Sequence, residues 1–260
     1  MDKALLFFNH YKVFGFIVFF IFGTVVGSFL NVVIYRVPKG ESIVFPPSHC
    51  TSCNHKLSTL DLIPILSYIA LRGKCRYCGE RISPIYPFVE ALTGLLFALL
   101  YVKFDISLVL LKYLVLVSLL IVVSFIDIRE QLVFDSIVIP GAVCGFLLSL
   151  PTWRDSLFGI LFFFVVYLII ILVSKLFYKE GGMGEGDLTT GVMIGAFIGL
   201  RLGIVSFLLS FIVGAIVGVI LLIRNKDSKA EIPFVPYMSI GALLAIFFGN
   251  YLISFYLNLF

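Results

Sequence analysis

Charge is scarce in this 260-residue sequence. Asp, Glu, Lys and Arg make up 13% of it, against 61% hydrophobic residues. A soluble domain carries about 25% charged and about 45–50% apolar residues. So little charge excludes a soluble globular protein, and the apolar excess excludes a disordered chain. Alternation is missing as well. The apolar residues come in continuous runs, whereas a membrane barrel needs alternating segments of about 10 residues. A collagen repeat, coiled-coil heptads and a dense cysteine framework are absent, and each absence removes its class. No strong basic excess exists: 19 Lys and Arg face 15 Asp and Glu, a net charge of +4. That is too little to point to nucleic acid, and none is expected as a partner. What remains is an all-α polytopic membrane protein bathed in lipid, with a mean hydropathy of +1.13. Its apolar runs are long enough to span a hydrocarbon core of about 30 Å.

Apolar runs fall at 13–35, 85–102, 106–126, 136–150, 156–177, 188–203, 204–223 and 234–258. They predict about eight transmembrane helices, with Arg201 and Gly203 supplying the break between the sixth and seventh. The first run lacks a small-x-small cleavage site and a strongly basic N-flank, so it is expected to be a retained span. Positive charge sets the orientation. With the N-terminus outside, the inner segments hold Arg36, Lys39, Lys56, Arg72, Lys74, Arg76, Arg81, Arg129, Lys175, Lys179, Arg224, Lys226 and Lys229. The outer segments hold Lys3, Lys12, Lys103, Lys112, Arg154 and Arg201. The positive-inside rule favours this arrangement and an even number of spans. Residues 36–84 then become a cytoplasmic loop domain between the first and second spans, after a first helix at 1–35 and before a membrane domain at 85–260.

Four of the five cysteines form two CxxC pairs, Cys50/Cys53 and Cys75/Cys78. Two such knuckles joined by a loop of about twenty residues suit one tetrahedral zinc ion with four thiolate ligands. His49 and His55 flank the first pair as substitute ligands. Four thiolates leave no open position for a reacting water, so the expected zinc is structural. A loop of this size sits at the lower limit for independent folding, where a metal staple is common. Cys144 lies in an apolar run and reads as packing.

HExxH, GxSxG and a Cys/His pair outside the loop are all absent. Two acidic residues at run ends are present instead. Asp127 closes the run in Ser124-Phe-Ile-Asp127, and Asp187 opens another in Gly184-Glu-Gly-Asp187. Gly191, Gly195, Gly199 and Gly203 follow Asp187 at intervals of four, so on one helix all five share a face. Glycine stripes mark close helix contact in lipid, which turns Asp187 into the bundle. A similar stripe, Gly15, Gly23, Gly27 and Asn31 with Ser28 beside it, lies in the first run. The segment Gly181–Gly186 permits backbone conformations other residues resist. Two carboxylates in one site share a proton and can activate a water against a peptide carbonyl. The same residues also suit helix caps, ion pairs with Arg129 or Lys179, or a proton-coupled transporter with interfacial carboxylates, whereas a zinc-bearing scaffold accounts for the cysteines and leaves Gly184-Glu-Gly-Asp187 without a reason.

Longer blocks carry a family resemblance. They are Gly27-Ser-Phe-Leu-Asn-Val-Val-Ile-Tyr-Arg36, the two CxxC pairs, Asp61-Leu-Ile-Pro-Ile-Leu-Ser67, Leu71-Arg-Gly-Lys-Cys75 and Tyr86-Pro-Phe-Val-Glu90. Asp127, Gly184-Glu-Gly-Asp187 and Pro233-Phe-Val-Pro-Tyr237 complete the set. The chain resembles the type IV prepilin peptidases, also called leader peptidases/N-methyltransferases. The resemblance implies a GxGD-type membrane aspartic protease in a bacterial cytoplasmic membrane, with Asp127 and Asp187 as the catalytic pair. It implies prepilin or pseudopilin substrates, cut after a glycine that ends a short basic leader. It also implies methylation of the new N-terminal amine with S-adenosylmethionine, assigned to residues 36–90. The chain departs from the family at Thr189, where lysine is frequent, at Phe134-Asp135, where Pro-Asp is frequent, and at Thr51-Ser52, where proline is common. Glu130, Asp135 and Glu185 are expected to make the entrance acidic and attract the leader.

Overall fold

The structure, a computed structural model, describes residues 3–177, 184–223 and 233–259. Lys179, Gly181–Met183, Arg224, Lys226 and Lys229, used above, lie outside them. Eight α-helices follow in order: α1 (Lys3–Arg36), α2 (Leu66–Ala70), α3 (Ile85–Phe104), α4 (Leu108–Glu130), α5 (Asp135–Leu148), α6 (Trp153–Phe177), α7 (Glu185–Ile223) and α8 (Val235–Leu257). The described residues contain no strand beyond two isolated bridges. Among the described residues, six helices are long and apolar enough to cross a membrane: α1, α3, α4, α6, α7 and α8. The chain divides into two compact units, Met1–Val122 and Val123–Phe260, and the boundary falls inside α4.

In the first unit, α1 packs along α3. The stripe expected from sequence supplies the contact. A Cβ on Gly23 would lie 2.7 Å from the Gly94 Cα, and one on Gly27 would lie 2.8 Å from the Glu90 Cα. Only glycine permits so close an approach of two helix backbones. Asn31 Nδ2 donates to the Tyr86 carbonyl at 3.1 Å, and the rings of Tyr35 and Tyr86 stack 4.8 Å apart.

In the second unit, α7 corrects the expected stripe. Gly199 has φ 73° and ψ −175°, so the helix breaks there, ahead of the Arg201–Gly203 position expected from sequence. In a straight helix residues 191 and 207 would lie about 24 Å apart. Yet Tyr167 touches both: a Cβ on Gly191 would lie 2.7 Å from its ring, and its ring centroid is 5.8 Å from that of Phe207. The halves 185–198 and 200–223 therefore fold back along α6. Gly191 and Gly195 face α6, Gly199 forms the turn, and Gly203 meets Phe163 again from the second half. Among the described residues, counting both halves and α5, the helical apolar segments number eight, although α5 (14 residues) and the equally short half at 185–198 are each too short to count as a full crossing.

The break leaves few polar groups bare. Ser149 and Ser156 hydroxyls donate to the Ala196 carbonyl at 3.1 and 2.7 Å. The Leu200 N–H donates to Asp155 Oδ1 at 3.1 Å. A carboxylate thus caps the new helix start. The second half of α7 then packs on α8, with Gly241 against Ser206 and Ser210 and Gly249 against Leu202.

Candidate active site and four-cysteine site

The four paired cysteines gather so that their sulfur atoms all lie within 4.8 Å of one another. Both knuckles use the same turn. Cys50 N–H donates to the His55 carbonyl and Asn54 N–H to the Cys50 carbonyl. Cys75 N–H donates to the Glu80 carbonyl and Gly79 N–H to the Cys75 carbonyl. Asn54 and Gly79, each following a second cysteine, have φ of 56° and 75°. Asn and Gly are the residues that enter this left-handed region most readily. The flanking histidines stand aside: His49 Nδ1 donates to the Pro47 carbonyl at 3.1 Å, and the His55 ring lies 3.6 Å from that of Tyr77. Four converging thiols fit a tetrahedral metal ion.

The thiols are unequal. The Cys53 backbone N–H, helped by that of Ser52, lowers the Cys50 thiol to about 6. At Cys78 the Glu80 backbone N–H pulls down, but burial and the three neighbouring thiols outweigh it and push the group up to about 12. Asp61 ties the two knuckles together. It accepts from the Ser58 hydroxyl at 2.7 Å, the Ser58 N–H at 3.0 Å, Arg76 Nε at 2.7 Å and the Tyr77 hydroxyl at 3.0 Å. The Ser58 hydroxyl, then Arg76, hold its carboxyl well below the usual carboxylate range. The Ser58-x-x-Asp61 spacing is a capping signal that sequence reading passed over.

Asp127 stands in the last turn of α4 and is buried at 6% exposure. Its Oδ2 accepts the Val235 N–H at 3.1 Å, from the start of α8. One turn earlier on α4, Ser124 shares a 2.7 Å hydrogen bond with Ser239, one turn later on α8. Asp187 stands half-buried in the first turn of α7, where its Oδ2 accepts the Gly184 N–H at 3.2 Å. Gly186 beside it packs on Val133, in the link after α4, where a Cβ would come within 2.6 Å. Asp187 lies within electrostatic reach of Asp127. The C-terminal end of α4 and the N-terminal ends of α7 and α8 thus meet at two carboxyl groups. Glu130 and Glu185 are exposed at the ends of α4 and α7, and Asp135 is exposed at the start of α5.

Three residues near these carboxyls escaped the sequence reading. Ser124 and Ser239 are polar interruptions of apolar runs, a signal that was available. Tyr167 carried none. It is fully buried on α6, its hydroxyl has no hydrogen-bond partner among the described residues, and it lies within electrostatic reach of Asp187.

Fold and sites define a class: a polytopic helical membrane protein with paired carboxyl groups at helix ends and a four-thiol loop between its first two membrane helices. Comparison with known proteins narrows it. Residues 21–104 match the bacterial peptidase A24 N-terminal domain, and residues 114–219 match the type IV leader peptidase family. The chain belongs to the type IV leader peptidase family. Three relatives are each named prepilin leader peptidase/N-methyltransferase. That of Bacillus subtilis is 35% identical over 93% of this chain and 98% of its own length. That of Pseudomonas aeruginosa is 34% identical over 91% of both chains. That of Myxococcus xanthus is 42% identical over 68% of this chain, which spans 54% of that relative. No solved structure matches the chain. Membership in an enzyme family sets aside the transporter and scaffold readings.

Proposed function

We propose that this chain cleaves the short basic leader of type IV prepilins or pseudopilins after a glycine, using Asp127 and Asp187 on the cytoplasmic face of the bacterial inner membrane. The meeting of three helix ends at two carboxyl groups carries this reading. One aspartate takes a proton from a water as the water attacks, and the other polarises the scissile carbonyl. The substrate's apolar stretch stays in lipid, which brings the cleavage point to the helix ends. The exposed Glu130, Asp135 and Glu185 attract the basic leader.

Residues 36–84 form the second functional region in this proposal. They N-methylate the newly exposed terminal residue, with S-adenosylmethionine as the methyl-donating substrate. Cys50, Cys53, Cys75 and Cys78 hold a zinc ion whose contribution is to fix the loop's shape. The N-terminus lies outside.

The test is cleavage of a prepilin in membranes carrying wild type, Asp127→Asn or Asp187→Asn. Either substitution is expected to slow cleavage about 10²–10⁴-fold while the protein inserts and accumulates normally. Equal activity of all three overturns the pair. A pre-cleaved pilin separates the second activity: the Asp127→Asn protein is expected to methylate it, whereas a Cys75→Ser/Cys78→Ser protein is not.

A further inference from the structure

The loop between α1 and α3 carries an exposed apolar strip that no water-soluble domain needs. Leu66 and Ile69 of α2 are both 65% exposed, and Leu60, Leu62 and Ile63 just before them are exposed too. Their depth can be read from α3. The Ile65 N–H donates to Glu90 Oε2 at 2.8 Å. Glu90 is itself buried and packs on Gly27 of α1. Gly27 precedes Arg36, the end of α1, by nine residues, about 13 Å along the helix axis. Outward-facing apolar side chains continue past this level towards the loop: Phe29 on α1 is 51% exposed and Phe88 on α3 is 58% exposed. A glutamate side chain spans no more than about one helical turn. Ile65 is therefore held below the charged end of α1, beside residues that face lipid.

The backbone at this point is forced. Ile65 has φ 62°, a conformation that a β-branched residue avoids, and Glu90 receives the N–H that results. Towards the knuckles the character changes from apolar to basic, with Arg72, Lys74, Arg76 and Arg81 exposed. Asp61 binds Arg76 and Tyr77, so the apolar strip and the second knuckle are mechanically joined.

We propose that residues 60–69 are seated in the bilayer at the boundary between headgroups and acyl chains, with Leu66 and Ile69 in the apolar region. The basic residues that follow lie against anionic headgroups. The partner is the lipid leaflet itself. Apolar side chains below and Lys/Arg above are the arrangement such a surface binds. The loop's four-cysteine site is thereby held at headgroup level. The inference rests on α1 and α3 as spans and stands apart from the peptidase reading.

Fluorescence quenching tests it on the full chain in vesicles of phosphatidylcholine and phosphatidylglycerol. The single native tryptophan, Trp153, is replaced by phenylalanine, and one new tryptophan is placed at Leu66, Ile69 or Lys56. Leu66→Trp and Ile69→Trp are expected to lose most of their emission to lipids brominated on the acyl chain and to resist aqueous acrylamide. Lys56→Trp is expected to behave in the opposite way. Replacing phosphatidylglycerol by phosphatidylcholine is expected to weaken the bromolipid quenching, and no change would overturn the role of the basic residues. Acrylamide access at Leu66→Trp equal to that at Lys56→Trp overturns the seat. Resistance to both quenchers also overturns it, because a protein surface then covers the strip. Photoactivatable lipid on the wild-type chain gives an independent reading. Adducts are expected on 60–69 as on Phe29 and Phe88, and adducts on the two phenylalanines alone would sink the proposal.

Discussion

The Val235 N–H points at Asp127 Oδ2 across 108 residues of sequence. The first peptide unit of α8 therefore holds a carboxyl at the end of α4. The Ser124–Ser239 hydrogen bond, one turn from each partner, pins the same two helices together. Breaking that bond is expected to loosen the Val235 contact. Ser124→Ala and Ser239→Ala should each lower kcat about two- to tenfold, from a net hydrogen-bond contribution of about 0.5–1.5 kcal/mol. The double variant should be no worse than either single one, because both remove the same interaction. Steady-state kinetics on a prepilin peptide gives the answer. An unchanged kcat in all three variants would show that the pair serves packing alone.

Tyr167 places a buried hydroxyl, without a partner among the described residues, in the field of Asp187. An unsatisfied buried hydroxyl destabilises a fold by about 1–3 kcal/mol, so its presence asks for a use. Tyr167→Phe is expected to keep or raise thermal stability and to lower kcat about tenfold with little change in KM. A variant as active as wild type would make the hydroxyl incidental.

The fold-back at Gly199 depends on Asp155. Gly199→Ala puts a methyl group where the Asp155 carboxylate sits, at a φ that disfavours any side chain. It should cost more than about 1–2 kcal/mol and deplete the protein from membranes. Asp155→Ala removes the cap from Leu200 and should cost about 0.5–2 kcal/mol. Asp155→Asn keeps an oxygen acceptor and should cost less. Thermal unfolding in detergent, followed by gel filtration, ranks the three.

Metal loading should follow pH through the thiols. Ligation needs thiolates, so binding releases protons and weakens as pH falls. Cys50, lowered to about 6, ionises well before Cys78, raised to about 12, whose proton leaves when a metal binds. Zinc retention during dialysis is therefore expected to fall steadily as pH is lowered. The Asp61 clamp behaves separately. Its carboxyl is depressed, so its stabilisation is fully present above the ordinary Asp value of about 3.9 and lost only as pH falls below that. Asp61→Asn should thus increase protease nicking of 36–84 at pH 7 and also at pH 5. Nicking of the wild-type loop at pH 5 that tracks zinc loss, with Asp61→Asn unchanged from wild type, would assign the loop's order to the metal alone.

Much of this protein was already written locally in its sequence. Apolar runs determine membrane helices because each hydrocarbon-buried backbone must satisfy itself within its own segment. Paired CxxC spacings determine a four-thiol cluster because each knuckle is one tight turn. Asp127 and Asp187 are visible as acidic residues at the edges of apolar runs, but a charge there costs little where it reaches water, so position alone gives them no role. The glycines of α1 likewise announced a close contact, although not that its partner is the Thr93–Gly94 backbone of α3.

Tertiary structure decided what depends on residues distant in sequence. The glycine stripe after Asp187 reads as one continuous helix face. It becomes a hairpin only because Asp155, Ser149 and Ser156 from other elements satisfy the groups freed at Gly199. Likewise Glu90 anchors a loop 25 residues before it, and Val235 reaches Asp127. No spacing rule encodes such pairs. They form where packed helices bring a buried donor to a buried acceptor, and in lipid no water stands in for a missing partner.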